Sequence, residues 1–167
     1  MLYLLDANVL ITAHNRYYPI DQVPEFWSWL HHQGLSGHVK IAVEILDEIL
    51  EGHDDALLGW LRNDANRAAL LLDEVVSPEL VRRVVTEGYA ADLTDDEIEK
   101  LGRDPFLISY ALGRGDRCVV TTEVSRPAKQ RQNRKIKTEA MCRAAHHRVF
   151  RIYLEQPRKK SWFARHG

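Results

Sequence analysis

The feature that most constrains this chain is its opening stretch Leu2–Ile11, which reads LYLLDANVLI. Apolar residues run without polar alternation into Asp6, which is typical of a strand buried on both faces of a parallel sheet. Ligands of such sheets bind outside the carboxyl ends of the strands, where Asp6 would lie. A buried carboxylate is costly unless it is paired, hydrogen-bonded or bound to a metal. Capping of the following helix is the alternative role for this aspartate.

Length and composition predict a single globular domain of 167 residues, with 45% hydrophobic and 28% charged residues. The sequence has no apolar run near the roughly 20 residues that span a bilayer, and its start lacks the basic segment of a signal peptide. The two cysteines, Cys118 and Cys142, give no disulfide framework and no metal-type spacing. We therefore expect a cytoplasmic protein with no membrane partner.

The net charge of −1 conceals a strong asymmetry along the chain. From Val124 to the end there are 13 Lys and Arg residues against 2 acids, whereas residues 1–123 hold 10 basic and 22 acidic residues. Such asymmetry indicates a polyanion such as RNA as the partner of the basic part. Two solvated faces that balance each other are the alternative. The basic part includes a predicted loop at about 124–137 and a short tail at about 157–167.

Strands alternate with helical stretches along the rest of the chain, which predicts an α/β fold with a mostly parallel sheet covered by helices on both faces. After the opening strand, further strands are expected at Val39–Ala42, Cys118–Thr121 and Val149–Leu154. The stretch Ala68–Leu72 is ambiguous between a strand and a helix end. Helices are expected at Asn8–His14, Glu25–Gln33 after Pro24, Val43–Leu50, Asp54–Leu61, Ser77 to about Ala91, within Asp92–Lys100, and from Asp104 to Leu112.

Four carboxylates occur where strands end or on helices near strand ends: Asp6, Glu48, Asp104 and Glu123. Asp116, just before the strand at Cys118, is an additional candidate. Acids that converge at one edge of a sheet repel one another unless a cation neutralises them. Oxygen ligands favour Mg²⁺ or Mn²⁺ over zinc, and such an ion can activate a water and stabilise charge on a scissile phosphate.

The sequence resembles the PIN-domain nucleases in four blocks that follow the family's order. The blocks are the opening LLDANVLI, Glu48–Gly52, the helix start at Asp104-Pro105-Phe106-Leu107-Ile108, and Val119–Glu123. The segments Arg16–Pro19 and Phe26–Leu30 further resemble a bacterial PIN-like subfamily catalogued only as a domain of unknown function.

The resemblance implies a three-layer α/β/α fold and metal-dependent cleavage of RNA, as in VapC-type toxins of bacterial toxin–antitoxin pairs. Asp6, Glu48, Asp104 and Glu123 would then be catalytic metal ligands for Mg²⁺ or Mn²⁺. Asn8 and Thr121 would support them by hydrogen bonding and by the geometry of the strand end. Two departures from the family are a glutamate at position 123, where aspartate or asparagine is usual, and the long basic insert Val124–Lys137.

Several of these residues have ordinary alternative roles. Glu44 and Glu48 are four residues apart on one helical face, so periodicity does not choose between them, and the Glu-Ile-x-x-Gly match favours Glu48. Asp104 before Pro105 could be a helix cap. Asp116 lies in a Gly-Arg-Gly-Asp turn that explains it without function.

The basic insert has the residue density of a phosphate-binding loop, and an acidic partner protein could equally bind there. Its RNA-binding candidates are Arg126, Lys129, Arg131, Arg134, Lys135 and Lys137. The leading hypothesis is a magnesium- or manganese-dependent endoribonuclease, the toxin partner of a cognate antitoxin protein. A non-catalytic RNA- or protein-binding module is the alternative. Homodimers are common among similar proteins, and nothing in the sequence requires one.

Overall fold

A parallel sheet lies at the centre of the protein. The computed structural model describes residues 1–52, 56–122, 130–133 and 150–151. In this part the strands are β1 (Leu2–Leu5), β2 (Val39–Lys40), β3 (Arg117–Thr121) and β4 (Phe150–Arg151). Their order is β2-β1-β3-β4, and each neighbouring pair is parallel. Leu5 aligns with Val120, so β1 and β3 end side by side.

Helices connect the strands in the described part of the chain. They are α1 (Ala7–Thr12), α2 (Pro24–Leu35), α3 (Val43–Leu50), α4 (Ala56–Arg62), α5 (Asp64–Leu70), α6 (Pro78–Arg83), α7 (Asp95–Glu99) and α8 (Asp104–Leu112). Two π-helical segments, Ala13–Tyr17 and Val84–Tyr89, extend α1 and α6, and a 3₁₀ turn covers Arg131–Asn133.

The order of the strands places helices on both faces of the sheet. The first crossover leads from β1 through α1 and α2 to β2, and the second returns past β1 to β3 on its other side. Because connections between parallel strands are right-handed, crossovers in opposite directions lie on opposite faces. The three-layer α/β/α fold expected from the sequence is therefore confirmed.

Most of the expected elements are present with small shifts at their ends. The helix over Val43–Leu50 has the expected bounds, and Pro24 opens a helix that continues to Leu35 instead of ending at Gln33. The Ser77-Pro78 start is also as expected, because the Ser77 side chain accepts a hydrogen bond from the Leu80 amide.

The main difference lies in the stretch that was ambiguous in the sequence. Residues Asp64–Leu70 form α5, a helix that was not expected, and the Asn63 side chain caps it by accepting from the amides of Ala65 and Asn66. The chain then becomes extended, and Leu71 pairs in parallel with Ile41. The stretch is thus a helix end followed by one strand-like pairing.

The core lies between the sheet and its helices. Leu4 and Val119 from the central strands are almost completely buried, as are Trp27 and Leu30 on α2. Two polar residues at the strand ends, Asp6 and Thr121, are only 3% exposed. Within the described residues, none of the helices has the length and apolar character needed to cross a lipid bilayer.

Candidate metal centre at the carboxyl edge of the sheet

Asp6 and Thr121 lie together at the carboxyl edge of the sheet, the edge where β1 ends at Leu5 and β3 ends at Thr121. The Thr121 hydroxyl donates a 2.7 Å hydrogen bond to Asp6 Oδ2, and the Asp6 amide donates to the Val120 carbonyl at 3.0 Å. Asp6 occupies the cap position of α1, but its side chain makes no capping hydrogen bond. The carboxylate is therefore directed to the neighbouring strand end and not to the amides of the helix.

Asp104 begins α8, and the packing of α8 on β3 places it towards the same edge. Four residues separate the end of α8 at Leu112 from the start of β3 at Arg117, and the Arg117 guanidinium donates to the Tyr110 carbonyl at 3.0 Å. The end of α8 is thus at the amino edge of the sheet, where the strands begin. Its first residue lies about 12 Å away along the helix axis, towards the carboxyl edge. The cap position is held by Arg103, without a side-chain capping bond.

Two side-chain contacts show that α3 and α8 are antiparallel. At one end, the Tyr110 hydroxyl donates to Glu44 Oε1 at 3.5 Å. At the other, Arg103 donates to Glu51 Oε1 at 3.3 Å. Glu44, in the first turn of α3, is therefore beside Tyr110 in the last part of α8. Glu48, one turn further along α3 and exposed, is nearer the start of α8.

The remaining candidates from the sequence are dispersed. Asn8 is exposed in the first turn of α1. Asp116 lies at the amino edge, immediately before β3, where it forms an ion pair with Arg114 at 3.8 Å. Since the strands are parallel, Asp116 is separated from Asp6 by the length of β3. It does not belong to the carboxyl edge.

The grouping of acids at the carboxyl edge is incomplete in the described part of the chain. Across residues 1–52, 56–122, 130–133 and 150–151, no three His, Cys, Asp or Glu side chains lie close enough together to hold a metal ion. Glu123, the fourth expected ligand, lies two residues beyond β3 and outside the described residues. Asp6 is fixed by its burial and by Thr121, whereas Glu48 is exposed and Asp104 half-buried.

Arg131 is the RNA-binding candidate that falls within the described residues, and its guanidinium is occupied by acids of its own chain. It donates to both Glu97 oxygens at 2.7 and 2.6 Å, and to the Asp92 side chain and carbonyl at 2.8 and 2.9 Å. These hydrogen bonds lower the pKa of Glu97 to about 2, with a further contribution from the Thr94 amide. Arg131 would have to break them to bind RNA. The other candidates, Arg126, Lys129, Arg134, Lys135 and Lys137, lie outside the described residues.

A polar network at the amino edge was not expected from the sequence. Arg117, only 3% exposed, forms an ion pair with Glu74, and the Tyr110 hydroxyl donates to the Glu74 carbonyl at 3.1 Å. The hydrogen bond from Arg117 lowers the pKa of Glu74. Burial, together with the charge of Glu44, raises the pKa of Tyr110 to about 12. Glu44 is part of this network through the Tyr110 hydroxyl, which gives it a structural role.

A separate cleft of about 310 Å³ lies between α2, α4 and α5. Trp27, Trp60, His31 and Asn66 line it, and His31 Nδ1 is 2.8 Å from Asn66 Oδ1. The elements that line it carry none of the acids of the candidate metal centre. The cleft is thus distinct from the carboxyl edge.

The fold and the carboxyl edge define the class of protein as a three-layer α/β/α protein with a buried aspartate at the end of a central parallel strand. The chain belongs to the family described as "Domain of unknown function (DUF4411)", whose model matches residues 3–153. No curated protein and no solved structure matches the chain.

Proposed function

We propose that the protein is a magnesium- or manganese-dependent endoribonuclease that acts at the carboxyl edge of its sheet. The observation that carries this proposal is the Asp6 carboxylate, 3% exposed at the end of a central strand and held by the Thr121 hydroxyl. A buried carboxylate is expensive to maintain, and a divalent cation would offset that cost. Ligand binding at this edge is the rule for parallel α/β sheets.

The donor chemistry is compatible with a hard cation. Asp6, Glu48, Asp104 and Glu123 would supply carboxylate oxygens, the ligands that Mg²⁺ and Mn²⁺ prefer. When bound, such an ion lowers the pKa of a coordinated water and stabilises negative charge on a phosphate. The contribution of the protein's own residues is to fix Asp6 through Thr121 and to hold the end of α3 beside the start of α8.

The antiparallel packing of α3 and α8 supports Glu48 over Glu44 as the ligand from α3. Glu44 contacts Tyr110, six residues after Asp104 in α8 and so about 9 Å along the helix axis. Glu51, the residue that contacts the start of α8 through Arg103, is one turn after Glu48. A cation near Asp104 would therefore be closer to Glu48.

The resemblance of four sequence blocks to PIN-domain nucleases adds independent support for RNA as the substrate and for the role of toxin in a toxin–antitoxin pair. The basic C-terminal part would bind the RNA backbone, for which Lys and Arg residues are the usual partners. A cognate antitoxin protein and a homodimer are part of the same proposal.

The direct test is cleavage of a labelled single-stranded RNA with Mg²⁺ or Mn²⁺ by purified protein. Wild type should cleave, whereas Asp6→Asn, Glu48→Gln and Asp104→Asn should lose cleavage while remaining folded. Asp116→Asn is the matched control, since it makes the same chemical change at the opposite edge of the sheet. Equal cleavage by all variants would refute the site. No cleavage by wild type, with RNA binding that survives in Asp6→Asn and weakens steeply with salt, would favour the non-catalytic binding module.

Metal binding is tested without activity by thermal unfolding. A ligand that binds only the folded state at about 100 times its dissociation constant stabilises by about 2.7 kcal/mol. Mg²⁺ or Mn²⁺ should therefore raise the melting temperature of wild type and of Asp116→Asn, but not that of Asp6→Asn.

The toxin role is tested by expression in a bacterial host. Induction of the wild-type protein should arrest growth of the host, and induction of Asp6→Asn should not.

A further inference from the structure

Arg103 carries an accessible guanidinium next to the candidate metal centre. It immediately precedes Asp104 and forms one ion pair, with Glu51 at 3.3 Å, in which the two side chains are 37% and 69% exposed. Within the described ranges, Glu51 is the only hydrogen-bond and ion-pair partner of the Arg103 guanidinium. That bond uses one of the five N–H donors of the guanidinium, so donors remain for a ligand.

Two other described arginines, Arg131 and Arg117, already make several polar contacts within the protein. The Arg131 guanidinium makes four hydrogen bonds to Glu97 and Asp92, and Arg117 is buried between Tyr110 and Glu74. An exposed pair with a single contact is weak because solvent and salt screen it. A phosphate offers a planar guanidinium two parallel charge-assisted hydrogen bonds, so it can compete with Glu51.

The position of Arg103 fits this exchange. Arg103 joins the start of α8 to the end of α3, one turn from Glu48. A backbone phosphate that approached a cation at Asp6 and Asp104 would meet the Arg103 side chain beside them. The guanidinium would also reduce the repulsion between that phosphate and the surrounding carboxylates.

We propose that Arg103 binds a phosphate of the RNA strand at the carboxyl edge. Glu51 holds the guanidinium in place until the phosphate displaces the Glu51 carboxylate. This inference rests on the proposed function, since it assigns a substrate-binding residue to the same site. The competing explanation is structural: the pair would only tie α3 to α8. The two explanations predict different effects on RNA binding. If the pair only holds α3 against α8, loss of either partner should change binding in the same direction. If Arg103 binds RNA, loss of Glu51 should free the guanidinium and tighten binding.

The experiment measures RNA binding by fluorescence anisotropy in an Asp6→Asn background, which should neither bind the cation nor cleave, and a gel confirms that the RNA stays intact. Adding Arg103→Gln should weaken binding about tenfold and reduce the salt slope by about 0.7, the value for one phosphate contact on a single strand. Adding Glu51→Gln should tighten binding two- to threefold, to the order of magnitude expected for a weak exposed competitor. Arg103→Lys should retain part of the affinity, since lysine binds phosphate as a point charge.

The matched controls are Arg83→Gln and Glu87→Gln, which make the same charge changes in an exposed ion pair on α6 and its extension, with 58% and 62% exposed side chains. If Arg103→Gln binds like Arg83→Gln, or if Glu51→Gln weakens binding as Arg103→Gln does, the inference is overturned. Absence of cleavage by wild type would overturn the nuclease proposal alone. Even in that case, weaker RNA binding by Arg103→Gln and tighter binding by Glu51→Gln would assign the phosphate contact to Arg103.

Discussion

Replacing Thr121 with valine tests the central contact of the candidate metal centre. Valine has nearly the shape of threonine and keeps the β-branched side chain that suits a strand. The change therefore removes the hydroxyl that donates to Asp6 Oδ2 at 2.7 Å and leaves the packing of β3 close to unchanged. Any loss of stability can be attributed mainly to the polar contact.

The expected loss follows from the burial and charge of the partners. Asp6 and Thr121 are each 3% exposed, so water replaces the lost donor poorly. Hydrogen bonds to charged groups contribute about 1.5–3 kcal/mol, and we expect Thr121→Val to lower the free energy of unfolding by about 2 kcal/mol. For a domain of this size that corresponds to a melting temperature lower by about 4–8 °C. Thr121→Ser keeps the hydroxyl and loses one methyl group, at a cost of about 1 kcal/mol.

The assay is urea unfolding at pH 7, followed by tryptophan fluorescence, which reports on the buried Trp27. The same change is repeated in an Asp6→Ala background, where no carboxylate remains to accept. In that background, Thr121→Val should lower the free energy of unfolding by at least about 1 kcal/mol less than it does in wild type. This difference is the coupling expected of two residues in contact. A loss below about 0.5 kcal/mol in the wild-type background, or an equal loss in both backgrounds, would refute the assignment of this hydrogen bond as the support of Asp6.

Three further predictions, with four substitutions in all, concern other parts of the fold. Gly34→Ala should destabilise by about 1–3 kcal/mol in urea unfolding, because its Cβ would lie 2.8 Å from a backbone oxygen of α5; Gly59→Ala, with nothing within 4 Å, should stabilise by about 0.5–1 kcal/mol, and equal effects would contradict the reasoning. Arg131→Gln should return the pKa of Glu97 from about 2 towards its ordinary 4.5, measured by carboxyl NMR titration, and an unchanged pKa would exclude the hydrogen bonds as its cause. The lowered pKa of Glu74 means that its ionised form stabilises the protein above about pH 4.5, and that this contribution is lost as the pH falls through the folded pKa. Glu74→Gln should therefore lower stability at pH 7 and flatten its loss between pH 5 and 3; an equally steep loss would contradict the assignment.

The sequence predicted the α/β/α fold because its strongest signals are local and persistent. The apolar runs at Leu2–Leu5 and Cys118–Thr121 are too continuous for an exposed strand, and they pair at the centre of the sheet. Helix α5 was missed because its sequence, DANRAAL, has a single large apolar residue and offers little periodicity. Its cap at Asn63, which accepts from two amides, was the available signal.

The site was predictable only as far as local sequence determines position. Asp6 follows directly from the strand that precedes it. The choice between Glu44 and Glu48 does not, because both lie on one face of α3, and the antiparallel contact with α8 distinguishes them. That contact depends on pairs separated by more than 50 residues, Glu51 with Arg103 and Glu44 with Tyr110. Periodicity within α3 carries no information about them.

The fold changes what can be concluded from the charge asymmetry of the sequence. Arg131 belongs to the basic C-terminal part, yet it is paired with Asp92 and Glu97 of the acidic part, so some of the basic excess neutralises the protein itself. Arg103 belongs to the acidic part, yet it carries an accessible guanidinium beside Asp104. The net charge of a stretch of sequence therefore does not determine which arginine side chains are available to RNA. What matters is the number and strength of the contacts that each guanidinium already makes within the fold. Arg131 makes several and Arg103 makes one, so Arg103 is the described arginine that we expect RNA to reach.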